Sequence, residues 1–129
     1  MDQLEEIKRV VNRTRSLDRA LLDDARRIEL ELMDVRDQLV GDRTRARRSQ
    51  TAPISVMGRT RLALSGTLRQ THGPTQTHRD QYEIGREQFE SVREELAELI
   101  EGDFQDLLDA LDEADAPWTP GRGLPTLGQ

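Results

Sequence analysis

The sequence predicts an all-α protein: an elongated helical bundle of coiled-coil character, with two long helices, one shorter helix and a Pro/Gly-rich C-terminal tail. Apolar residues recur at alternating steps of three and four, a period that helices keep and strands do not. The composition is 34% hydrophobic, 34% charged and only 3% aromatic, as in helical bundles. The positions of this seam are Leu4, Ile7, Val11, Thr14, Asp18, Leu21, Ala25, Ile28, Leu32, Val35 and Leu39.

The first long helix is predicted over residues 2–40, with Gly41 as its left-handed cap. Thr14 and Asp18 interrupt the seam, and we interpret them as a polar layer within one helix. The alternative is a hinge at which Ser16 caps a second helix. The first and last helices are predicted to be much longer than the shorter helix between them. The shorter helix cannot cover their full length, so an apolar face on residues 2–20 is expected to lack a partner within the chain.

Residues 41–52 are predicted to form a basic loop with four arginines. Residues 41–73 hold one acidic and seven basic residues, between acidic flanks: residues 1–40 have ten acidic and eight basic residues, and residues 74–129 have fourteen and four. We expect the loop to pair with acidic helix surface of its own chain. Nucleic-acid binding is the lesser alternative, because no aromatic residue is interleaved for base stacking. The arginines are Arg43, Arg45, Arg47 and Arg48.

A shorter helix is predicted from Pro53 to about residue 71, and the last helix opens after Pro74 with Thr75 or Thr77 as its cap. After Gly102 a four-residue stutter predicts local unwinding. The residues expected to face inward are Ile54, Met57, Leu64 and Leu68 on the shorter helix and Tyr82, Phe89, Val92, Leu96 and Leu99 on the last one.

The predicted domains are a helical bundle over residues 1–115 and an extended tail over residues 116–129. Within the tail, Trp118 is expected to insert between the helices as a clasp. No segment approaches the roughly 20 apolar residues of a membrane span, so membrane insertion is not expected.

No catalytic, cofactor-binding or metal site is predicted. The chain has no cysteine, and its two histidines, His72 and His78, lack the further ligands of a metal site. An acidic stretch lacks the alternating ligands and the central glycine of a calcium loop, so a solvated helix face is the expectation. That stretch comprises Glu101, Asp103, Asp106, Asp109, Asp112 and Glu113.

The second half of the chain carries several distinctive segments, of which the ending APWTPGR from Ala116 is the most specific. The others are Pro-Ile-Ser from Pro53, Gly-Pro-Thr-Gln-Thr from Gly73, Gln-Tyr-Glu-Ile from Gln81 and Leu-Ile-Glu-Gly-Asp-Phe from Leu99. Together they resemble the helical C-terminal region of bacterial exported proteins with sortilin-like, sialidase-type β-propeller repeats, often labelled glycosyl hydrolases.

The resemblance implies a non-catalytic module that packs on, spaces or oligomerises such a protein, with the propeller of the same parent chain or a second copy as its partner. Any hydrolase activity would then reside upstream, Met1 would be an internal methionine or a fragment start, and the protein would be exported. The alternative is a free-standing cytoplasmic coiled-coil interaction protein that starts at Met1.

Overall fold

The computed structural model describes residues 1–42, 48, 52–69 and 73–123, and these residues contain helices and no strand. The predicted all-α class is confirmed. None of the described helices is long and apolar enough to cross a membrane. The elements are α1 (Asp2–Arg13), α2 (Ala20–Val40), α3 (Val56–Leu68), α4 (Gln76–Glu98), a π-helical segment (Leu99–Phe104) and α5 (Gln105–Glu113).

The chain divides into two compact units. The terminal unit comprises residues 1–32 together with the described residues from Ala97 onward, and the central unit is Met33–Leu96. The predicted domain boundary at residue 115 stays a prediction.

The prediction of one unbroken helix over residues 2–40 is wrong. Helix α1 ends at Arg13, and Thr14 has an extended backbone with φ −102° and ψ 101°. Helix α2 begins at Ala20, whose N–H donates to the Asp18 carboxylate at 3.0 Å. Short polar side chains compete for backbone hydrogen bonds, so the two polar seam positions end one helix and start the next. The alternative of a second helix is therefore confirmed, but Asp18 supplies the side-chain contact expected of Ser16.

The terminal unit has a filled apolar core, and Leu4 and Ile7 of α1 are each only 1% exposed. The predicted unpartnered face on residues 2–20 is wrong, because the chain covers it with its own later segments. The seam correctly predicted buried residues of α1 and α2. The predicted helix lengths, however, did not show that the C-terminal helix returns to α1. The core residues are Leu4, Ile7, Val11, Leu17, Leu21, Leu22, Ala25, Ile28, Leu99, Leu107, Leu111 and Ala116.

A part-buried ion pair joins α1 to α2 inside this unit. Lys8 Nζ donates to both carboxylate oxygens of Glu29 at 2.6 and 2.7 Å, and the two side chains are 22% and 18% exposed. Because the pair is partly buried, solvent and salt screen it less than an exposed pair. It therefore contributes more to folding stability than the i,i+3 pairs elsewhere on the surface.

Helix α3 starts three residues later than predicted and presents a different face. Its N-cap is Ser55, whose hydroxyl accepts from the Gly58 N–H at 3.2 Å. All four residues predicted to face inward are exposed, whereas Ala63 is buried. The inward prediction for α3 is therefore wrong, because close helix packing selects small residues here in place of large apolar ones. The exposed four are Ile54, Met57, Leu64 and Leu68.

Of the two cap residues predicted for the last helix, Thr75 is the one that caps α4. The Thr75 hydroxyl accepts from the His78 N–H at 3.4 Å, and the Thr75 N–H donates to His78 Nδ1 at 3.3 Å. This is the reciprocal arrangement of a capping box, with histidine in the place usually taken by Glu or Gln. The π-helical segment Leu99–Phe104 confirms the predicted local unwinding at the stutter. Gly41 has φ +96°, which confirms the left-handed cap of α2.

The C-terminal segment turns back on the terminal unit through a Schellman motif at the end of α5. The Ala116 N–H donates to the Leu111 carbonyl at 3.0 Å, and the Asp115 N–H donates to the Asp112 carbonyl at 3.1 Å. Asp115 takes the left-handed position with φ +48°. Arg122 closes the turn by pairing with the Asp112 carboxylate.

Trp118 does not insert between helices, so the predicted clasp is wrong. Its side chain is 52% exposed, and its indole N–H donates to the carbonyls of Arg122 and Gly123 at 3.3 and 3.0 Å. Ala116 and Thr119 are buried instead, at 8% and 2% exposure. Residues three apart lie on the same side of an extended polyproline II segment, which has three residues per turn. Ala116 and Thr119 therefore face the core together, and the indole between them lies outside.

Candidate interaction surface

The central unit buries few apolar side chains and exposes many. Its buried apolar residues are Val35, Ala63 and Val92, whereas ten large ones are exposed among the described residues. Scattered exposed apolar residues are ordinary, but grouped ones mark interaction surfaces. The ten are Met33, Val40, Ile54, Met57, Leu62, Leu64, Leu68, Tyr82, Ile84 and Phe89.

Helix α3 carries one such group, which we call the α3 stripe: Met57, Leu64 and Leu68. On a helix with 3.6 residues per turn these positions fall within an arc of about 40°, far from the arc of the buried Ala63. Leu68 is the most exposed of them, at 76%. Arg61 lies about 20° beyond one edge of the arc, and residues 52–69 contain no acidic residue. The stripe is therefore an apolar face with positive charge.

The contact between α3 and α4 explains why this stripe points outward. A Cβ on Gly66 would overlap the His78 ring, and one on Gly85 would lie 3.4 Å from the Arg59 Cβ. Gly66 therefore neighbours the start of α4 and Arg59 its middle, so the two helices run antiparallel and close together. Small residues occupy the packed face, which leaves the large side chains of α3 on the other side.

A guanidinium fixes the rotation of α4 against α3. Arg59 Nε donates to Gln88 Oε1 and Arg59 Nη1 donates to Gln81 Oε1, both at 2.8 Å. The two glutamines lie one on each side of Gly85 along α4. This places Gly85 and Val92 inside the unit, where both are buried.

The same rotation leaves a second group at the edge of α4, the α4 stripe: Tyr82, Arg86, Phe89 and Arg93. These four positions span an arc of about 60°. The two aromatic side chains are 55% and 46% exposed. The expectation that Tyr82 and Phe89 face inward is therefore wrong, although Val92 and Leu99 are buried as predicted.

Each arginine of the α4 stripe is paired with a glutamate three residues earlier. Arg86 lies 3.1 Å from the carboxylate of Glu83, and Arg93 lies 2.9 Å from that of Glu90. All four side chains are more than half exposed. Such exposed pairs are weak, so both guanidiniums can exchange partners at little cost.

The central unit also contains an open cleft of about 570 Å³ with an acidic lining. Glu95 accepts from Gln38 at 3.0 Å, and Asp37 accepts from Arg36 at 3.0 Å. Ser55 in its wall is occupied as the cap of α3. The cleft is a solvated carboxylate-rich groove whose lining includes no histidine, cysteine or lysine. Its residues are Asp34, Asp37, Gln38, Asp42, Ala52, Pro53, Ile54, Ser55, Val56, Gln88, Ser91, Val92 and Glu95.

Of the two histidines considered for metal binding, only His78 lies among the described residues. His72 lies outside the described residues, and His78 serves in the cap of α4. Among the described residues, no group of three or more histidine, cysteine, aspartate or glutamate side chains could hold a metal ion.

Several members of the acidic stretch take part in structural contacts of the terminal unit. Arg27 donates to Asp103 at 3.2 Å and to Glu31 at 3.1 Å. The hydrogen bond to Asp103, followed by that to Glu31, raises the pKa of the Arg27 guanidinium. Asp109 accepts from Gln105 at 2.8 Å.

Of the four arginines in the basic loop, Arg48 lies among the described residues. Arg43, Arg45 and Arg47 lie outside the described residues, and Arg48 lies in an exposed turn. The expected pairing of this loop with acidic helix surface stays a prediction.

Sequence reasoning missed both stripes because it assigned their apolar residues to the core: Met57, Leu64 and Leu68 on α3, and Tyr82 and Phe89 on α4. The signal that could have found them is the set of small residues on the opposite arcs: Ala63 and Gly66 on α3, and Gly85 on α4. Glycine weakens an isolated helix, so its presence in two facing helices indicates close packing at those positions.

Comparison of the chain with protein-family models, with curated proteins and with solved structures finds no match. The fold and the surface therefore define its class on their own: an all-α protein with one well-filled unit and one unit that exposes apolar stripes.

Proposed function

We propose that the chain is a non-catalytic helical interaction module that docks through the exposed stripes of its central unit. In line with the sequence resemblance, it serves packing, spacing or oligomerisation at the C-terminal end of an exported, sortilin-like β-propeller protein. The partner is then the upstream propeller of the same parent chain or a second copy. Within each unit, the helices pack in the coiled-coil-like manner expected from the seam.

The observation that carries this proposal is the imbalance among the described residues of the central unit, where three apolar side chains are buried and ten large ones are exposed. Burying an exposed leucine or methionine on docking stabilises a complex by roughly 1.5–3 kcal/mol if it becomes fully covered. Methionine, aromatic and arginine side chains, which occupy the two stripes, are also the types enriched at protein interfaces.

The filled core of the terminal unit favours a second candidate, a free-standing cytoplasmic interaction protein. Because Leu4 and Ile7 are covered by the same chain, the apolar face of α1 no longer argues for an upstream domain. The reading frame upstream of the Met1 codon separates the candidates. An open frame with propeller repeats supports the parent protein, and a stop codon with a ribosome-binding site supports the free-standing one.

The docking itself is tested by photo-crosslinking in cells that express the natural gene product. A photoreactive amino acid replaces Leu64, which lies in the α3 stripe, and in a matched control it replaces Glu94, a polar and exposed position of α4. We expect adducts from the Leu64 position whose partner peptide, identified by mass spectrometry, belongs to a propeller repeat or to this chain. Equal yields from the two positions would contradict the proposal.

A further inference from the structure

We propose that the α4 stripe is a self-association surface, through which two copies of this chain pair antiparallel about a two-fold axis. This inference rests on the proposed function and names the partner of one of its two stripes. The stripe is suited to such a partner because aromatic and basic residues alternate along it: Tyr82, Arg86, Phe89 and Arg93.

The alternation is complementary to itself when a second α4 runs in the opposite direction. With the two-fold axis midway between residues 87 and 88, Tyr82 lies opposite Arg93 of the second copy, and Arg86 lies opposite Phe89 of the second copy. Symmetry repeats both contacts, so four guanidinium–aromatic pairs form. A cation over an aromatic face is stabilised by the ring quadrupole. In a parallel pair, by contrast, each arginine would face an arginine.

The glutamates beside the stripe fit the same register. In an antiparallel pair the flank that carries Glu83 and Glu90 lies on the same side of both helices. Arg86 then comes level with Glu90 of the second copy, and Arg93 with Glu83. Each guanidinium can therefore exchange its exposed partner within the helix for a carboxylate across the interface.

The α3 stripe lacks this self-complementarity. Antiparallel pairing of two α3 helices through Met57, Leu64 and Leu68 would bring two Arg61 side chains together, and residues 52–69 supply no acidic residue to separate them. Of the two stripes, the α4 stripe is thus the one that recognises its own copy.

The expected dimer is weak. A stable interface buries roughly 800 Å² on each partner, and a contact along about three turns of one helix buries less, so a Kd on the order of 10–100 μM is expected. Sedimentation velocity of the full chain over a concentration series measures it. A chain that stays monomeric up to about 1 mM would overturn the proposal.

Two variants locate the surface. Phe89→Ser should raise the dimer Kd at least about tenfold, because it removes an aromatic hot spot. Ile84→Ser is the matched control: Ile84 is an exposed apolar residue of the same helix, about 170° from the centre of the stripe. It should change the Kd by less than about twofold. Equal effects of the two changes would overturn the assignment to this stripe.

Disulfide trapping tests the antiparallel register, and the absence of cysteine from the chain makes it clean. In the proposed dimer the two copies of residue 86 are about 5 Å apart along the helix axis, and the two copies of residue 79 are about 25 Å apart. Arg86→Cys should therefore cross-link on oxidation, whereas Arg79→Cys should not. Equal cross-linking of both would indicate a parallel pair and overturn the proposal.

The proposed function is tested separately. If the chain proves monomeric in solution while the Leu64 position still cross-links to a propeller repeat, the self-association surface is refuted and the docking module remains.

Discussion

Replacement of Ile28 by alanine should strongly destabilise the terminal unit. Ile28 is 0% exposed in its apolar core. The substitution removes three carbon atoms, a transfer loss of about 2.4 kcal/mol at about 0.8 kcal/mol per buried methylene. The incompletely collapsed cavity adds about 1–2 kcal/mol, so the free energy of unfolding should fall by about 3.5–4.5 kcal/mol. Leu30→Ala is the control, because Leu30 lies two residues along the same helix and is 63% exposed.

Urea denaturation, followed by circular dichroism at 222 nm, measures both variants. Leu30→Ala should change the free energy by less than about 0.5 kcal/mol. A loss below about 1 kcal/mol for Ile28→Ala, or equal losses for the two variants, would refute the core register derived for α2.

Three further substitutions or measurements test particular contacts. Asp115→Gly should stabilise the chain by about 1 kcal/mol in thermal denaturation, because glycine accepts the left-handed backbone at this position without strain; a lower stability would contradict the Schellman assignment. Gly66→Ala should destabilise by about 1 kcal/mol through overlap with His78, yet become neutral or stabilising in a His78→Ala background; the same sign in both backgrounds would disprove the close approach. Trp118 should emit as a solvent-exposed indole and be quenched readily by acrylamide, whereas a blue-shifted, protected emission would restore the clasp.

The sequence was sufficient for the parts of the fold governed by local periodicity and capping. The apolar seam identified the buried residues of α1 and α2, Gly41 marked the end of α2, and Thr75 marked the start of α4. Each of these signals depends on only a few neighbouring residues. It can therefore be interpreted from the sequence without knowing which distant segments pack together.

The parts that failed depend on contacts between distant segments. The outward rotation of Met57 and Phe89 follows from the glycines that bring α3 and α4 together, and the burial of Leu4 follows from the return of α5. Trp118 stays outside because Ala116 and Thr119 are the residues of this segment that pack into the terminal unit. Periodicity identifies an apolar face, but it does not say which of several faces finds a partner.

The ion pair between Lys8 and Glu29 has a practical consequence for chemical labelling. Lys8 is the only lysine of the chain, and its ammonium is partly buried and held by both carboxylate oxygens. Amine-directed reagents must approach the nitrogen, which these two contacts shield. Such reagents should therefore modify Lys8 slowly while α1 and α2 are packed together, so its labelling rate reports whether the terminal unit is folded.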